Sequence, residues 1–280
     1  MIKADKEKSW RFIDTGINNG FMNMAIDEAM LEMHLQEQIP PTLRIYRWSP
    51  PALSIGCSQR MEDDVDRNKC LELGIDVVRR LTGGRGVLHN NELTYTVIAS
   101  GKYGLPGTIL ESYRILNEGL IAAYRILGLE VNLVSNDKVL PSAACFAGTA
   151  TADLTCRGKK IAGGAQFRRG EALLQHGSLP IVLDTELSIA VHKFSSPEVR
   201  SRALSTLRTK ATDIKTALGK QIDWQELADA IFEGFQKSMG IKLYKDKLTS
   251  AEIKLGRKLA KEKYSTDDWN DFGMYNDGKR

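Results

Sequence analysis

The sequence has few of the residues that build metal sites or disulfide frameworks. Among its 280 residues are four cysteines and four histidines, and they form neither a Cys-x-x-Cys pair nor a His-Glu-x-x-His motif. A structural zinc site is therefore not expected. Free thiols suit a reducing compartment, in which each cysteine is either core filler, the more common role, or a nucleophile.

Other absences restrict the class of protein. The net charge is only +4, so a nucleic-acid partner is not indicated. No apolar run has the length of a membrane span, and the first twenty residues are charged and lack the apolar core of a signal peptide. With 42% hydrophobic and 26% charged residues, the composition is that of a globular protein. We expect a cytoplasmic protein with neither a nucleic-acid nor a membrane partner.

Segments with strand and helix periodicity alternate irregularly along the chain. The segment "FMNMAIDEAM" has helical spacing, and "TLRIYRW" and "ALSIG" have the pattern of strands. After the glycine loop, apolar residues from Leu110 to Leu127 form one face of a long helix. Because the order lacks the regular alternation of a doubly wound sheet, we predict an α/β (α+β) fold with a mixed sheet. After about Asp223 the chain becomes helical and basic. We predict a main domain over 1–220 and a small helical C-terminal appendage over 221–280.

The segment "RRLTGGRGVLH", residues 79–89, is rich in glycine and arginine. It lies between two strand-like runs, "IDVVRR" and "ELTYTVIA", and it fits neither the dinucleotide-binding nor the P-loop glycine pattern, both of which open a helix. Gly83, Gly84 and Gly86 would let a ligand approach the main chain closely. The residues alone leave two interpretations open, a structural turn and a ligand-binding loop.

A second informative segment is "SAACFAGTATADLTCRGKKIAGGAQ", residues 142–166. Two strands are predicted here, with a turn at Arg157, Gly158 and Lys159 and with Lys160 at the start of the returning strand. Cys145 lies among small residues, which either leave its thiol accessible or pack it tightly. If Lys160 reaches Cys145, its positive charge lowers the thiol pKa and favours the reactive thiolate.

These segments, followed by "LLQHGSL", resemble the lipoate-protein ligase and octanoyltransferase family. "FMNMAIDEAM" near the start and "EKYSTDDWN" near the end are also similar to that family, so the resemblance covers nearly the whole chain. It implies a biotin/lipoate ligase-like catalytic domain in which the arginine-glycine loop lines a tunnel for an acyl chain. Two residues depart from the pattern: Gly86 stands where relatives usually have alanine, and Gly164 where they usually have serine.

The resemblance also implies which residues take part in catalysis and which bind the substrate. Cys145 would be the nucleophile, and Lys160 would contact the acyl carbonyl. The implied substrate-binding residues are Arg79, Gly83, Gly84, Arg85, His89, Gly163 and His176. For His89 and His176 a structural role in the core stays open beside the functional one.

"SAACF" is similar to the cysteine segment of the transferase branch. That branch takes octanoate from octanoyl-acyl carrier protein, holds it as a cysteine thioester, and passes it to a lysine of a lipoyl-type protein such as glycine cleavage H protein. The route requires neither a metal nor ATP, so no cofactor is expected. Two alternatives remain: an ATP-dependent ligase in which Cys145 is a bystander, and a binding module suggested by the basic residues Lys254, Arg257, Lys258, Lys261 and Lys263. A solvated helix face is the favoured explanation of those charges.

Overall fold

The computed structural model describes residues 9–134 and 153–273, so Cys145 lies outside the described residues. The strands are β1 (Ser9–Asn18), β2 (Thr42–Trp48), β3 (Ala52–Ile55), β4 (Asp76–Arg79), β5 (Val87–His89), β6 (Glu92–Ser100), β7 (Asn132–Leu133), β8 (Leu154–Cys156), β9 (Lys159–Arg169), β10 (Ala172–Pro180) and β11 (Lys242–Asp246). The α-helices are α1 (Gly20–Leu35), α2 (Met61–Asp64), α3 (Arg67–Glu72), α4 (Ile109–Ile126), α5 (Thr185–Ala190), α6 (Pro197–Lys210), α7 (Ile214–Leu218), α8 (Trp224–Met239), α9 (Ser250–Leu259) and α10 (Asp267–Phe272).

Eight strands form a large mixed sheet in the order β11-β1-β2-β6-β10-β9-β8-β7. Strand β1 is parallel to both of its neighbours, and the central strands from β2 to β9 pair antiparallel. A second sheet has the order β4-β3-β5, with β3 parallel to β4 and antiparallel to β5. This arrangement confirms the predicted mixed-sheet α/β class.

The two faces of the large sheet carry different layers. Helices α4 and α8 pack together on one face, where Tyr95 and Val97 of β6 meet Leu120 and Phe235 in the largest apolar cluster. The opposite face carries α1 and, beyond it, the small sheet. Because side chains alternate along a strand, the intervening β6 residues face this second layer. In the described part of the chain, no helix combines the length and the apolar character that a membrane crossing requires.

Local sequence explains the start of α1 and the β8–β9 hairpin. The Asn19 side chain accepts from the backbone N–H of Met22 and caps α1, as expected of asparagine at a helix start. The β8–β9 hairpin forms as predicted, with Cys156 paired to Lys159. Its turn is shorter than predicted, because only Arg157 and Gly158, both with positive φ, lie between the strands. Lys159 is therefore the first residue of β9.

The chain after residue 220 is integrated with the large sheet. Helix α8 packs on α4, and β11 extends the sheet by pairing with β1. Helix α9 is attached by a buried ion pair in which the Arg11 guanidinium of β1 donates to both carboxylate oxygens of Glu252, at 2.6 and 3.2 Å. The C-terminal segment thus contains one strand besides its helices, and the division of the chain at 220/221 stays a prediction.

This ion pair gives a stability prediction. Glu252→Gln keeps a side chain that can complete the α9 capping box with Thr249, but it leaves the buried Arg11 charge without its carboxylate. We expect the free energy of unfolding to fall by about 3–5 kcal/mol, the usual effect of breaking a buried pair, as measured by urea denaturation. The exposed Glu262→Gln is the matched control and should change it by less than about 1 kcal/mol. Equal effects of the two substitutions would contradict this account.

Candidate functional site

A narrow cleft lies between the large sheet and the small sheet. Its empty space, including the open mouth, is about 430 Å³. One wall comes from the large sheet and the other from the small sheet, the glycine loop and α1. The lining residues are Met24, Tyr46, Trp48, Ser54, Arg80, Gly84, Val87, His89, Thr94, Gly163, Gly164, Ala165, His176, Gly177 and Ser178.

Strand register determines which residues of the large sheet reach the cleft. Tyr46 pairs with Thr94, and Ser178 pairs with Gly163, so four adjacent strands present these residues side by side. Since cross-strand partners point to the same face, the cleft crosses the strands in the order β2, β6, β10, β9. Trp48, which stacks on His89 at a centroid distance of 4.0 Å, stands at the β2 end.

The buried Arg80 guanidinium fixes the shape of the glycine loop. Its Nη2 donates to the carbonyl oxygens of Gly83 (2.7 Å) and Arg85 (2.9 Å), and its Nη1 donates to the carbonyl of Ser54 (2.7 Å) on the small sheet. Gly84 between them has φ +94°, a conformation that favours glycine, and a Cβ added there would lie 3.0 Å from Arg80. The bare backbone is therefore wrapped around an arginine of its own chain on one side and faces the cleft on the other.

His176 connects Arg80 to a buried carboxylate. The ring Nδ1 lies 3.2 Å from Asp27, and Nε2 lies 2.7 Å from the Thr82 hydroxyl, which also accepts from Arg80 Nε. A carboxylate can only accept, so we assign the Nδ1 proton to the bond with Asp27 and treat Thr82 as donor to Nε2. Asp27 in turn accepts from Arg44 at 2.5 Å.

His89 repeats this pattern on the other side of Arg80. Its Nδ1 lies 2.7 Å from Glu92, and its Nε2 lies 2.8 Å from the Ser54 hydroxyl, to which Arg80 Nη1 also donates. Glu92 further accepts from Ser178. Two carboxylate–imidazole–hydroxyl chains thus converge on one guanidinium. Both histidines line the cleft and are also held in buried networks, so each has a structural role, and binding of substrate stays a prediction.

Burial and neighbouring charges set the ionisation of this network. Burial lowers the pKa of His176 more than Asp27 raises it, so the ring is neutral at pH 7. Burial alone would raise the pKa of Asp27, but Arg44 and the hydrogen bonds from His176 and Thr96 outweigh it, and the pKa lies below its ordinary value. The pKa of Glu92 is likewise lowered, because His89 and the donors around it outweigh burial. Both carboxyl groups are therefore ionised at pH 7.

Lys160, predicted to be catalytic, is 2% exposed and forms an ion pair with Asp153 at 2.9 Å. Asp153 is itself buried. A buried ammonium requires such a partner, and here the partner is the first described residue after the segment that contains Cys145. Lys160 lies three positions before the cleft residue Gly163, about 10 Å along β9. Sequence reasoning missed Asp153, although the motif "TADLTC" contains it.

Four of the predicted substrate-binding residues line the cleft: Gly84, His89, Gly163 and His176. Gly83 contributes its carbonyl to Arg80. The Arg85 side chain is 48% exposed and lies 3.5 Å from Asp64, away from the cleft lining. Sequence reasoning did not select Arg80, Trp48 or Thr94, for which only the alternation along their strands gives a signal.

Arg79 points away from the cleft. Its guanidinium donates to carbonyl oxygens of Gly56, Gln59, Asn270 and Asp271, and thereby joins β3 to α10. It borders a separate, wider depression of about 1430 Å³ between α2, α3 and α10. The chain turns after Arg79, the last residue of β4, and only the next side chain, Arg80, reaches the cleft. This position gives Arg79 a structural role, and its binding of substrate stays a prediction.

Both departures from the family pattern occur where neighbouring side chains take up the space. A Cβ on Gly86 would lie 2.7 Å from Cε1 of His192, and one on Gly164 would lie 2.6 Å from the hydroxyl of Tyr113. His192 and Tyr113 therefore occupy the volume that alanine and serine would need. A larger residue at either position requires its neighbour to move.

The model of the lipoyl protein ligase A/B catalytic domain matches residues 19–236. An octanoyltransferase (LipM) of Anoxybacillus flavithermus is 39% identical over 95% of this chain and 99% of its own length. This chain belongs to the lipoyl protein ligase A/B family. Another octanoyltransferase LipM, from Geobacillus kaustophilus, is 39% identical over 93% of the chain and 97% of its own length.

Solved structures of the lipoyl protein ligase A/B family share the fold. The bipartite lipoate protein ligase of Thermoplasma acidophilum superposes with a TM-score of 0.78 at 27% identity, over 94% of this chain and 96% of its own. A lipoate-protein ligase A bound with ATP superposes with a TM-score of 0.78 at 28% identity, over 94% of this chain and 98% of its own. Among the described residues of this family member, no three His, Cys, Asp or Glu side chains are grouped to hold a metal ion.

Three buried histidines predict how stability depends on pH. Burial lowers the pKa of His34, His176 and His192, so the unfolded chain binds more protons than the folded one below about pH 6.5. The free energy of unfolding should therefore fall as the pH decreases from about 6.5, by up to about 1.4 kcal/mol per pH unit for each histidine. Urea midpoints at pH 7.5 and 5.5 measure this. His34→Gln should reduce the pH dependence, and a midpoint that does not change over this range would contradict the assignment.

Proposed function

We propose that this protein is an octanoyltransferase of lipoate biosynthesis. It takes the octanoyl group from octanoyl-acyl carrier protein as a thioester on Cys145 and transfers it to a lysine of a lipoyl-type acceptor, glycine cleavage H protein. The observation that carries the proposal is the cleft that crosses four strands from Gly163, three residues after Lys160 on β9, to Trp48 on β2. The relatives named octanoyltransferase, at 39% identity over nearly the whole chain, support the reaction. A thiol nucleophile suits the reducing cytoplasm expected from the sequence.

The length of the cleft and its lining suit an acyl chain. Three strand spacings from β9 to β2 amount to about 14 Å. The seven carbon–carbon bonds of an extended octanoyl chain cover about 8 Å, by the advance of an extended backbone per bond. The chain would lie over Gly163 and Thr94 with its methyl end toward Tyr46 and Trp48, and its carbonyl would lie toward Lys160. Glycines on the β9 side keep the backbone accessible along this path.

The ion pair with Asp153 supports the role assigned to Lys160. The carboxylate keeps a buried lysine in its charged form, and an ammonium both stabilises a thiolate and donates to an oxyanion. A neutral amine would provide only the hydrogen bond. Asp153 is thus a positioning residue for Lys160, which itself would contact the reacting carbonyl.

The reaction proceeds in two acyl-transfer steps. The Cys145 thiolate attacks the thioester carbonyl, the carbon–sulfur bond to the carrier breaks, and the carrier leaves as a thiolate. The neutral ε-amine of the acceptor lysine then attacks the Cys145 thioester, an amide bond forms, and the Cys145 thiolate is released. The departing carrier thiolate takes a proton from water, and the proton lost by the amine returns to water, so the two steps balance. Lys160 donates to the oxyanion of each tetrahedral intermediate.

The environment of two other cysteines makes them poor nucleophiles. Burial raises the pKa of the Cys70 thiol to about 11, and burial also raises the pKa of the Cys156 thiol. Both therefore remain protonated at pH 7. Cys57 lies beyond the end of β3, where its carbonyl accepts from Arg79 on the side away from the cleft. These surroundings support Cys145 as the residue that holds the octanoyl group.

An ATP-dependent ligase is the second candidate function. It is favoured by the similarity to a lipoate-protein ligase A that was solved with ATP bound. The two candidates differ in their acyl donor. Transfer from free octanoate with Mg-ATP, and unchanged activity in Cys145→Ala, would support the ligase.

Intact-mass analysis tests the transferase directly. Mixing with octanoyl-acyl carrier protein should add one octanoyl group in a bond that hydroxylamine cleaves, because thioesters react with this nucleophile. Cys145→Ala should abolish the adduct, whereas Cys57→Ala, Cys70→Ala and Cys156→Ala should retain it. Lys160→Ala should slow its formation on the order of 10²–10³-fold through loss of the oxyanion donor.

Two controls separate the parts of this prediction. Lys159→Ala changes the neighbouring, exposed lysine and should leave the rate at saturating donor concentration nearly unchanged. Lys160→Arg keeps the charge but changes the donor geometry, so it should restore thiolate formation more than transfer. An adduct that persists in Cys145→Ala would overturn the assignment of the nucleophile.

A further inference from the structure

Two basic segments lie beside Lys160. They are the hairpin turn 157–159 and the segment 184–210, which contains α5 and α6; together they are called the basic rim here. They carry seven basic residues against three acidic ones, a net charge of +4 that equals the net charge of the whole chain. The basic residues are Arg157, Lys159, Lys193, Arg200, Arg202, Arg208 and Lys210.

Most of these charges have no acidic partner. Arg208 pairs with Glu186, and Lys193 donates to the carbonyl of Glu62. In the portions of the chain that the structure describes, the other five, all exposed, form no ion pair: Arg157, Lys159, Arg200, Arg202 and Lys210. Helix α6 buries only Leu207 of its fourteen residues, so the helix presents its arginines to solvent on several sides.

The basic rim is attached directly to the catalytic end of the cleft. The backbone N–H of Thr212, two residues after α6 ends, donates to the carbonyl of Lys160 at 2.8 Å. Leu207 of α6 lies in an apolar cluster with Val87, which lines the cleft. Arg200 lies ten residues before Lys210, so the basic surface extends about 15 Å from the region of Lys160 along the helix axis.

We propose that the basic rim docks an acidic surface of the carrier protein that delivers the octanoyl thioester. This proposal rests on the proposed function and names the part of the enzyme that recognises the donor. Charge complementarity of this kind steers a protein partner to its site and raises the association rate.

The extent of the rim favours the donor over the acceptor. The acceptor lysine has a short side chain, so the acceptor domain must sit directly over the Lys160 end of the cleft. A carrier protein holds its acyl group on a longer phosphopantetheine arm, so its body lies farther from the reacting carbon. Arg200 and Arg202, at the far end of α6, are placed for a partner at that distance.

Helix α9 offers a matched control surface. It carries Lys254, Arg257 and Lys258, also exposed, but it is bound through Glu252 to Arg11 on β1. Strand β1 lies four strand spacings from β9, about 19 Å across the sheet. Reversing two charges on α9 changes the net charge of the protein by the same amount as reversing two on α6, without altering the basic rim.

The test measures only the first half-reaction, by the rate of octanoyl-enzyme formation at increasing donor concentration. Arg200→Glu/Arg202→Glu is compared with Lys254→Glu/Arg257→Glu, and octanoyl-acyl carrier protein is compared with octanoyl-N-acetylcysteamine, which has no protein and no anion. In the rim variant, the half-saturating concentration of the carrier-bound donor should rise on the order of tenfold. The half-saturating concentration of the small thioester should change by less than about twofold. The α9 variant should change neither donor by more than about twofold.

Salt provides an independent readout. Raising the salt concentration from about 50 to about 300 mM should weaken the binding of the carrier-bound donor to the native enzyme. It should have much less effect on the binding of this donor to the rim variant. Equal effects of the two variants, or equal effects of the rim variant on the two donors, would overturn the proposal. If octanoyl-acyl carrier protein forms no adduct with the native enzyme, the proposed function itself fails, so the two failures are distinguishable.

Discussion

The buried guanidinium of Arg80 determines the geometry on which the rest of the site depends. Each of its nitrogens donates to a different part of the cleft wall: the glycine loop, the small sheet and the Thr82 hydroxyl. A lysine could not replace these contacts, because an ammonium lacks the planar set of five donors. The loop, the two histidines and the sheets are therefore placed relative to one another by a single side chain.

Close packing around this centre explains why the segment is rich in glycine. Gly56 is packed against the carbonyl of Gly84, and Gly86 against His192, so neither position has room for a Cβ without movement. The glycines form a structural turn around Arg80, one of the two interpretations that the sequence left open. Gly84 also brings bare backbone to the cleft, and binding of a ligand there stays a prediction.

Sequence predicted the fold class, the hairpin that carries Lys160 and four of the cleft residues, because these follow from local periodicity, turn chemistry and family motifs. It did not distinguish Arg79 from Arg80, since that depends on which face of β4 continues into the cleft. Trp48 is identified as a cleft residue only by the register of the strands. Asp153 is identified only by its ion pair with Lys160. Long-range contacts of this kind have no signal in a single sequence. The role of Cys145 still rests on the family motif.

In the proposed reaction the acyl chain crosses the sheet with its carbonyl toward Lys160 and its methyl end toward Trp48. Photo-crosslinking tests this placement with an octanoyl thioester that carries a diazirine at its terminal carbon, and mass spectrometry locates the labelled residue. We expect labelling of Trp48, Tyr46 or Met24, which line the β2 end of the cleft. Labelling in the depression between α2 and α10, at Met61 or Phe272, would contradict it.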